Sequence, residues 1–243
     1  MTYVMAHRGA SSIAPENSLQ AFIEAINLGA DYVELDVRRC NTGELIVIHD
    51  SKVNRVTNGE GHIKALTFEE ISNLVMLDNS RILTLDEALD FLNGRCRVNI
   101  EIKSRKIDYD IADRILHMIK ERDMQQKVMI SSFNHKILRY IKHSSPNIET
   151  AALFVRRKSP GTFFRRLYYM KKFIRKARHI GADALNLPHK FITGEIMRMA
   201  ASNGLLVNAW TVNSDKEIAR MLGLGVNAII TDYPQKITIF GKS

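Results

Sequence analysis

The sequence predicts an α/β fold: a (β/α)8 TIM barrel carrying a small insertion after its second strand region. Three observations lead there. Short apolar runs alternate with amphipathic stretches along the whole chain. The runs number eight, the count that closes a parallel barrel. A length of 243 residues with 45% hydrophobic content, without linker or low-complexity stretch, suits a single domain over 1–243. An open doubly wound sheet is the alternative, because a strand count does not show closure.

Taken in order, "YVMAH" (3–7) is the first strand, followed by a Gly/Ser/Pro loop and a helix over 17–28. Asn17 offers that helix a cap with Gln20 three residues on, and Gly29 a stop. "YVELDV" (32–37) comes next, with a shorter strand-like run, "ELIVIH" (44–49), close behind. Residues from about 50 to 83 exceed the need of a barrel loop and hold a helical piece of their own, "TFEEISNLVML"; these form the insertion. Thr84-x-x-Glu87 reads as a capping box for a helix over 85–93, which Gly94 ends. "RVNIEIK" (97–103), a helix over 109–122, "KVMISSF" (127–133) and a helix over 135–143 continue the alternation. "ETAALF" (149–154), a helix over about 162–179, "DALNL" (183–187) and a helix over 194–203 with Gly204 behind it follow. "LLVNAWTV" (205–212) leads to a helix over 215–223, opened by Ser214-x-x-Glu217 and stopped at Gly223, before "NAIITDY" (227–233).

Composition narrows the setting. Cys40 and Cys96 have no metal or redox spacing and are expected to be free thiols. No leader is expected ahead of the first strand, and no apolar run approaches the ~18 residues of a membrane span. The expectation is a cytoplasmic protein, at most peripheral to a membrane. The net charge of +9 is uneven: Arg156 to Arg178 holds ten Lys/Arg and no acid, which suits an anionic partner. Phe163, Leu167, Met170, Ile174 and Ala177 mark one face of a helix there, while Phe164, Tyr168, Tyr169 and Phe173 fall off it among the cations. The plain reading is a barrel helix with a solvated basic face. The sharper one is an anionic membrane surface as partner through 156–178. Nucleic acid is not expected as a partner, and oligomeric state is open.

In barrels the chemistry sits at the C-terminal ends of strands. Alternation in "YVELDV" puts Val33, Leu35 and Val37 on one face and Glu34 and Asp36 on the other. The apolar set must pack on helices, so both carboxylates turn inward. "NIEIK" likewise turns Asn99, Glu101 and Lys103 inward, His49 shares the phase of Val47, and Asn208 and Trp210 can point in from the strand "LLVNAWTV". Two carboxylates about 5 Å apart at an effective dielectric of about 20 repel by roughly 3 kcal/mol. A divalent cation relieves that, and an all-oxygen set suits Mg²⁺ or Ca²⁺ better than Zn²⁺. The ordinary alternative is pairing with Arg8, Lys103 or Arg38. His7 and His49 end strands and form an acid–base pair near neutral pH, while Arg8 and Lys103 offer fixed charge to a tetrahedral anion. The six other histidines lack such a setting.

The stretches "AHRG…PENS…GADYVELDV", "ELIVIHD…VxRVTxGxG", "LTLDEAL", "IEIK", "SSF", "AWTVN" and "IITDYP" stand in the order and spacing of the glycerophosphodiester phosphodiesterase family, which the chain resembles over roughly residues 4–234. The resemblance implies a (β/α)8 barrel that hydrolyses glycerophosphodiesters to glycerol 3-phosphate and an alcohol with a divalent metal ion. It implies Glu34, Asp36 and Glu101 as metal ligands and His7 and His49 as catalytic acid and base. Arg8 and Lys103 would lie at the phosphate, and Trp210 would line the substrate pocket. "NTGE" in place of T-x-D-G and "ILTL" in place of I-P-T-L depart from the family pattern without touching a chemical group. Lysophospholipase D-type hydrolysis at a membrane surface is the alternative activity. A catalytically idle barrel that binds anionic surfaces is the alternative of another class, and its mark, a missing ligand or histidine, is not seen. An aldolase-type barrel would want a different residue set.

Overall fold

The computed structural model describes residues 1–104, 107–155 and 163–239, with backbone alone at 163–166 and 238–239. Nine strands and nine α-helices occur among them: β1 (Tyr3–His7), α1 (Leu19–Asn27), β2 (Tyr32–Arg39), β3 (Leu45–Val47), α2 (Phe68–Ser72), α3 (Leu85–Leu92), β4 (Arg97–Ile102), α4 (Tyr109–Glu121), β5 (Val128–Ser132), α5 (His135–Ser144), β6 (Glu149–Leu153), α6 (Phe163–Ile180), β7 (Ala184–Pro188), α7 (Gly194–Ala201), β8 (Leu206–Trp210), α8 (Asp215–Leu224), β9 (Ala228–Thr231) and α9 (Pro234–Ile239). Eight parallel strands run β1-β2-β4-β5-β6-β7-β8-β9 and close through the β1–β9 and β1–β2 pairs. That closure excludes the open doubly wound sheet.

Alternation decides the two cores. Val33, Leu35 and Val37 of β2 and Val98, Ile100 and Ile102 of β4 face outward with Leu89, Ile115, Leu138 and Ile218 of the helices. Each such side chain, fully buried, contributes roughly 1.5–3 kcal/mol. The opposite phase fills the barrel with Met5, Tyr32, Met129, Ala151, Ala184, Ala228 and Ile230. Small residues on several strands leave the axis room for the larger Tyr32 and the two methionines.

Some local expectations shift. Ser18, not Asn17, caps α1, its hydroxyl accepting from the Ala21 N–H. Asn17 stands at φ 59°, one residue ahead of the cap, so its amide is free to reach elsewhere. Gly225 at φ 66° ends α8 in the left-handed conformation, whereas Gly223 lies inside the helix. In α6, Phe173 is buried and stacks on Phe154 with ring centroids 4.2 Å apart, and Tyr169 tilts against it at 6.3 Å. The buried sector of α6 is wider than the expected stripe, and Tyr168 remains the exposed aromatic of its middle turns. Arg156 to Thr162 and the side chains of Phe163 to Arg166 lie outside the described residues.

The insertion grows from β3, which pairs antiparallel to β2 and stands outside the ring. Its ends meet: the Val47 N–H donates to the Leu83 carbonyl at 2.9 Å, and Ile46 bridges Thr84. Between them Ile46, Ile48, Val53, Ile63, Ile71, Met76 and Ile82 form a separate small core with Cys40. A Thr67–Glu70 capping box starts α2 within it, and the expected Thr84–Glu87 box starts α3 behind it. Cys40 and Cys96 are free. Among the described residues no helix is long and apolar enough to cross a membrane.

Candidate active site

The C-terminal ends of β1, β2, β4 and β9 converge on one acidic centre. Glu34, Asp36 and Glu101 are buried on the inward phase, each with a carboxylate oxygen within 4.8 Å of the others. Register explains the grouping, since Asp36 lies beside Glu101 and His7 beside Glu34. Lys103, the residue directly after β4, reaches over them, its ammonium 2.9 Å from Asp36 Oδ1 and 2.5 Å from Glu101 Oε1. The pairing with Lys103 weighed from the sequence therefore occurs. Arg38 goes elsewhere, donating to the backbone carbonyls of His49 and Lys103.

Asn17 braces the centre from the first loop. Its side-chain amide donates to Asp36 Oδ2 at 3.0 Å, and its carbonyl oxygen accepts from the Asp36 N–H at 3.2 Å. Arg8 sits at φ 59°, a conformation costing about 1–2 kcal/mol for a residue with a Cβ. That turn aims the Arg8 N–H at Glu34 Oε2, 2.9 Å away, and sets its Nε 3.2 Å from Asp36 Oδ2. Gly9 at φ 80° follows because a Cβ there would lie 2.7 Å from Ala21, backbone included.

Electrically the centre is short of positive charge. Burial, then the neighbouring Asp36, pushes the Glu34 carboxyl up to about 8. Burial also raises Glu101 against the pull of Lys103. Burial would raise Asp36 too, but Lys103 and Arg8 hold it below the usual range. Three acids and two cations thus do not settle together at neutral pH. Asp36 Oδ1 and Glu101 Oε1 are buried without a well-directed hydrogen bond even though the Lys103 ammonium is close. A hard divalent cation fits this donor set, all carboxylate oxygen, and would let Glu34 and Glu101 ionise.

Two histidines flank the carboxylates. His7, inward at the end of β1, donates from Nδ1 to Asp232 Oδ1 at 2.6 Å. Asp232 is fixed by Ser11 at 3.1 Å and by Asn213 at 2.6 Å. Burial lowers the His7 pKa, but the Asp232 hydrogen bond and the Glu34 charge outweigh it and leave it raised. His49 lies just past β3, so strand alternation does not place it; its Nδ1 meets Asp50 Oδ1 at 2.7 Å. Burial lowers its pKa, with Lys103 and Arg8 adding to the effect. Arg55, chiefly, holds Asp50 down to about 2. Across the barrel from β4, Trp210 points inward from β8 with its ring against Phe133, centroids 6.0 Å apart.

The structure thus gathers Glu34, Asp36, Glu101, Arg8, Lys103, His7 and His49, with Trp210 on the facing strand. Sequence reasoning passed over Asp232, Asn17, Asp50 and Arg55. The alternation applied to β2 would have found the first, since Ala228, Ile230 and Asp232 share the inward phase. Arg55 and Asp50 belong to the insertion, where no periodicity points.

Residues 7–236 match the glycerophosphoryl diester phosphodiesterase family. A glycerophosphodiester phosphodiesterase of Caldanaerobacter subterraneus subsp. tengcongensis is 36% identical over 97% of this chain and 96% of its own. A putative glycerophosphodiester phosphodiesterase of Bacillus subtilis is 32% identical over 99% of this chain and 98% of its own. Among solved structures, an Oleispira antarctica phosphodiesterase in complex with the product sn-glycerol-3-phosphate superposes with a TM-score of 0.87 at 24% identity, over 100% of this chain and 98% of that one. A glycerophosphodiester phosphodiesterase of Thermotoga maritima gives 0.79 at 26% identity, over 99% and 98%.

Proposed function

The chain belongs to the glycerophosphoryl diester phosphodiesterase family, and from that premise we propose that it hydrolyses small glycerophosphodiesters to glycerol 3-phosphate and an alcohol by histidine acid–base catalysis at this centre. The observation that carries the reading is the convergence of three buried carboxylates, two cations and two carboxylate-held histidines at one barrel mouth. Glu34, Asp36 and Glu101 would hold a divalent metal ion, Mg²⁺ or Ca²⁺, which when bound supplies Lewis-acid stabilisation of phosphate charge.

Arg8 and Lys103 present fixed positive charge to the nonbridging phosphate oxygens, whose negative charge grows in the transition state. With its pKa lowered, His49 is neutral at neutral pH and accepts the proton of the attacking hydroxyl, water's or the glycerol 2-hydroxyl's by way of a cyclic phosphate. His7, with its pKa raised, is the better proton holder of the two rings and gives its proton to the leaving alkoxide as the P–O bond breaks. The carboxylates of Asp232 and Asp50 keep the Nδ1 protons in place, so Nε2 of each ring is the transferring atom. Trp210 and Phe133 give the organic part of the diester an apolar wall.

The test is a panel from glycerophosphocholine to lysophosphatidylcholine, assayed with and without chelator. Turnover of water-soluble diesters that disappears on chelation and returns with Mg²⁺ or Ca²⁺ is expected. Full turnover in a chelated, metal-analysed sample overturns metal dependence, and turnover of no diester overturns the reading.

A second reading, lysophospholipid hydrolysis at an anionic membrane, rests on where charge and apolar surface lie. Residues 133–182 hold thirteen Lys/Arg and a single acid, Glu149, while the rest of the chain holds 22 against 25. Lys171, Lys172, Arg175 and Lys176 of α6 are exposed, and so are Ile13, Ile107, Phe133, Val155 and Tyr233 on loops that follow barrel strands on the catalytic face. Aromatic and basic groups together suit a lipid interface, at about 1 kcal/mol per near-surface cation. Co-sedimentation with anionic but not neutral vesicles, weakened by salt, supports it; indifference to anionic vesicles at low salt removes it.

A further inference from the structure

One side chain of the insertion, Arg55, has an unusual position at the catalytic mouth. Arg55 lies between the loop that bears Arg8 and the turn that bears His49. Its Nη1 and Nη2 grip Glu16 at 3.0 and 2.5 Å, a two-pronged pair, while its Nε donates to Asp50 Oδ2 at 2.5 Å. Both carboxylates are engaged a second time. Glu16 Oε1 also accepts from Arg8 Nη1 at 3.0 Å, and Asp50 Oδ1 meets His49 Nδ1 at 2.7 Å. The chain Arg8–Glu16–Arg55–Asp50–His49 is therefore continuous, and it runs from a phosphate-facing cation to the proposed base.

The charges make the arrangement directional. Arg8 already has Asp36 at 3.2 Å, so an undivided Glu16 would leave it two carboxylates and little charge for an incoming phosphate. Arg55 takes both oxygens of Glu16 and thereby divides that negative charge. At the other end it pins the carboxylate that orients the His49 ring. A guanidinium serves both because it offers five donors in a rigid plane, which an ammonium does not.

We propose that Arg55 is a positioning residue that sets phosphate affinity by sharing the charge of Glu16 with Arg8 and sets proton transfer by fixing Asp50 against His49. The proposal rests on the functional reading above for the roles of Arg8 and His49. It predicts separable effects, since one arm acts on binding and the other on turnover.

The experiment is a double-mutant cycle on the full chain, with glycerol 3-phosphate affinity read by calorimetry and kcat and KM on glycerophosphocholine. Arg55→Ala is expected to weaken glycerol 3-phosphate about tenfold and lower kcat about tenfold. Adding Glu16→Gln should bring affinity and KM back to within about twofold of the parent, because Arg8 is then free of its competitor, while kcat stays low. Arg55→Lys, which keeps the charge but not the fork, should fall between. Unchanged affinity in Arg55→Ala, or affinity that Glu16→Gln does not restore, overturns the proposal, with thermal unfolding run on each variant to show that it is folded. Wild-type binding of glycerol 3-phosphate without turnover of any diester would overturn the functional reading while the binding arm still stands. No binding by the wild type would overturn both.

Discussion

The two sides of the mouth are built differently. On the side of β1 and β9, His7 ends a strand, and its partner Asp232 directly follows β9, a strand hydrogen-bonded to β1. Ser11 and Asn213 hold that carboxylate in turn, and His7 is mostly buried. On the side of β3, His49 lies beyond its strand, a third exposed, and its partner is the next residue in the chain. What steadies that partner is a side chain of the insertion, itself half exposed. Under the proposed mechanism, one proton-transfer group would be set by the barrel, the other by an appendage. The lesson is that barrel geometry need not place both ends of an acid–base pair, so long as ion pairs carry the positioning to a loop.

Removing the imidazoles tests the comparison most severely. His7→Ala and His49→Ala should each lower kcat by about 10²–10⁴-fold, the range of positioned acid–base groups, with unfolding temperature nearly unchanged. Near-normal turnover in either variant would make that ring structural. The orienting carboxylates should then separate the two sides. Asp232→Asn is expected to cost about 10²-fold in kcat, because the His7 ring it holds is mostly buried, whereas Asp50→Asn should cost about tenfold, because the His49 ring is a third exposed and water can take over part of the contact. Equal losses would mean that the two sides are equally firm.

Stability measurements sharpen the same contrast. Gly9→Ala forces a Cβ against the Ala21 backbone in a left-handed conformation, and an equilibrium unfolding experiment should show a loss of about 2–4 kcal/mol. A loss under about 1 kcal/mol would show the first loop to be softer than its packing indicates. The smallest effect is on the pH profile of kcat/KM. With His49 held below the ordinary histidine value of about 6.5 and His7 above it, activity should rise as His49 loses its proton and fall as His7 loses its own. Asp232→Asn removes contributions that raise His7 while burial still lowers it, so the alkaline limb should move to lower pH. A limb that stays in place would free His7 of that control.

Much of this site is legible in the sequence, for one physical reason. A barrel strand buried on both faces must sort its residues by phase, so a charge in an apolar strand declares its direction. Glu34, Asp36, Glu101 and Lys103 were legible in that way, and so was His7. Asn17 was misread by one residue because helix caps and left-handed turns attract the same side chains, and only the backbone decides between them. Phe173 was misassigned because the buried sector of α6 follows Phe154, a neighbour distant in sequence. Arg55 is invisible in the sequence because its partners come from separate segments, Glu16 from the first barrel loop and Asp50 from the turn after β3, and no repeat joins them.

That insertion leaves and re-enters the barrel at adjoining points, Val47 beside Leu83 and Ile46 beside Thr84. Its length is thus nearly independent of the frame. Closing a flexible excursion of twice the length between fixed ends would cost only about 0.6 kcal/mol more, so far as its own core does not suffer. The seam is therefore a natural graft point. A foreign segment of quite different size is expected to be tolerated between the exposed Asp78 and Asn79, leaving the eight-stranded ring undisturbed, since Met76 stays in the small core and the Leu77 N–H still backs Val56, next to Arg55.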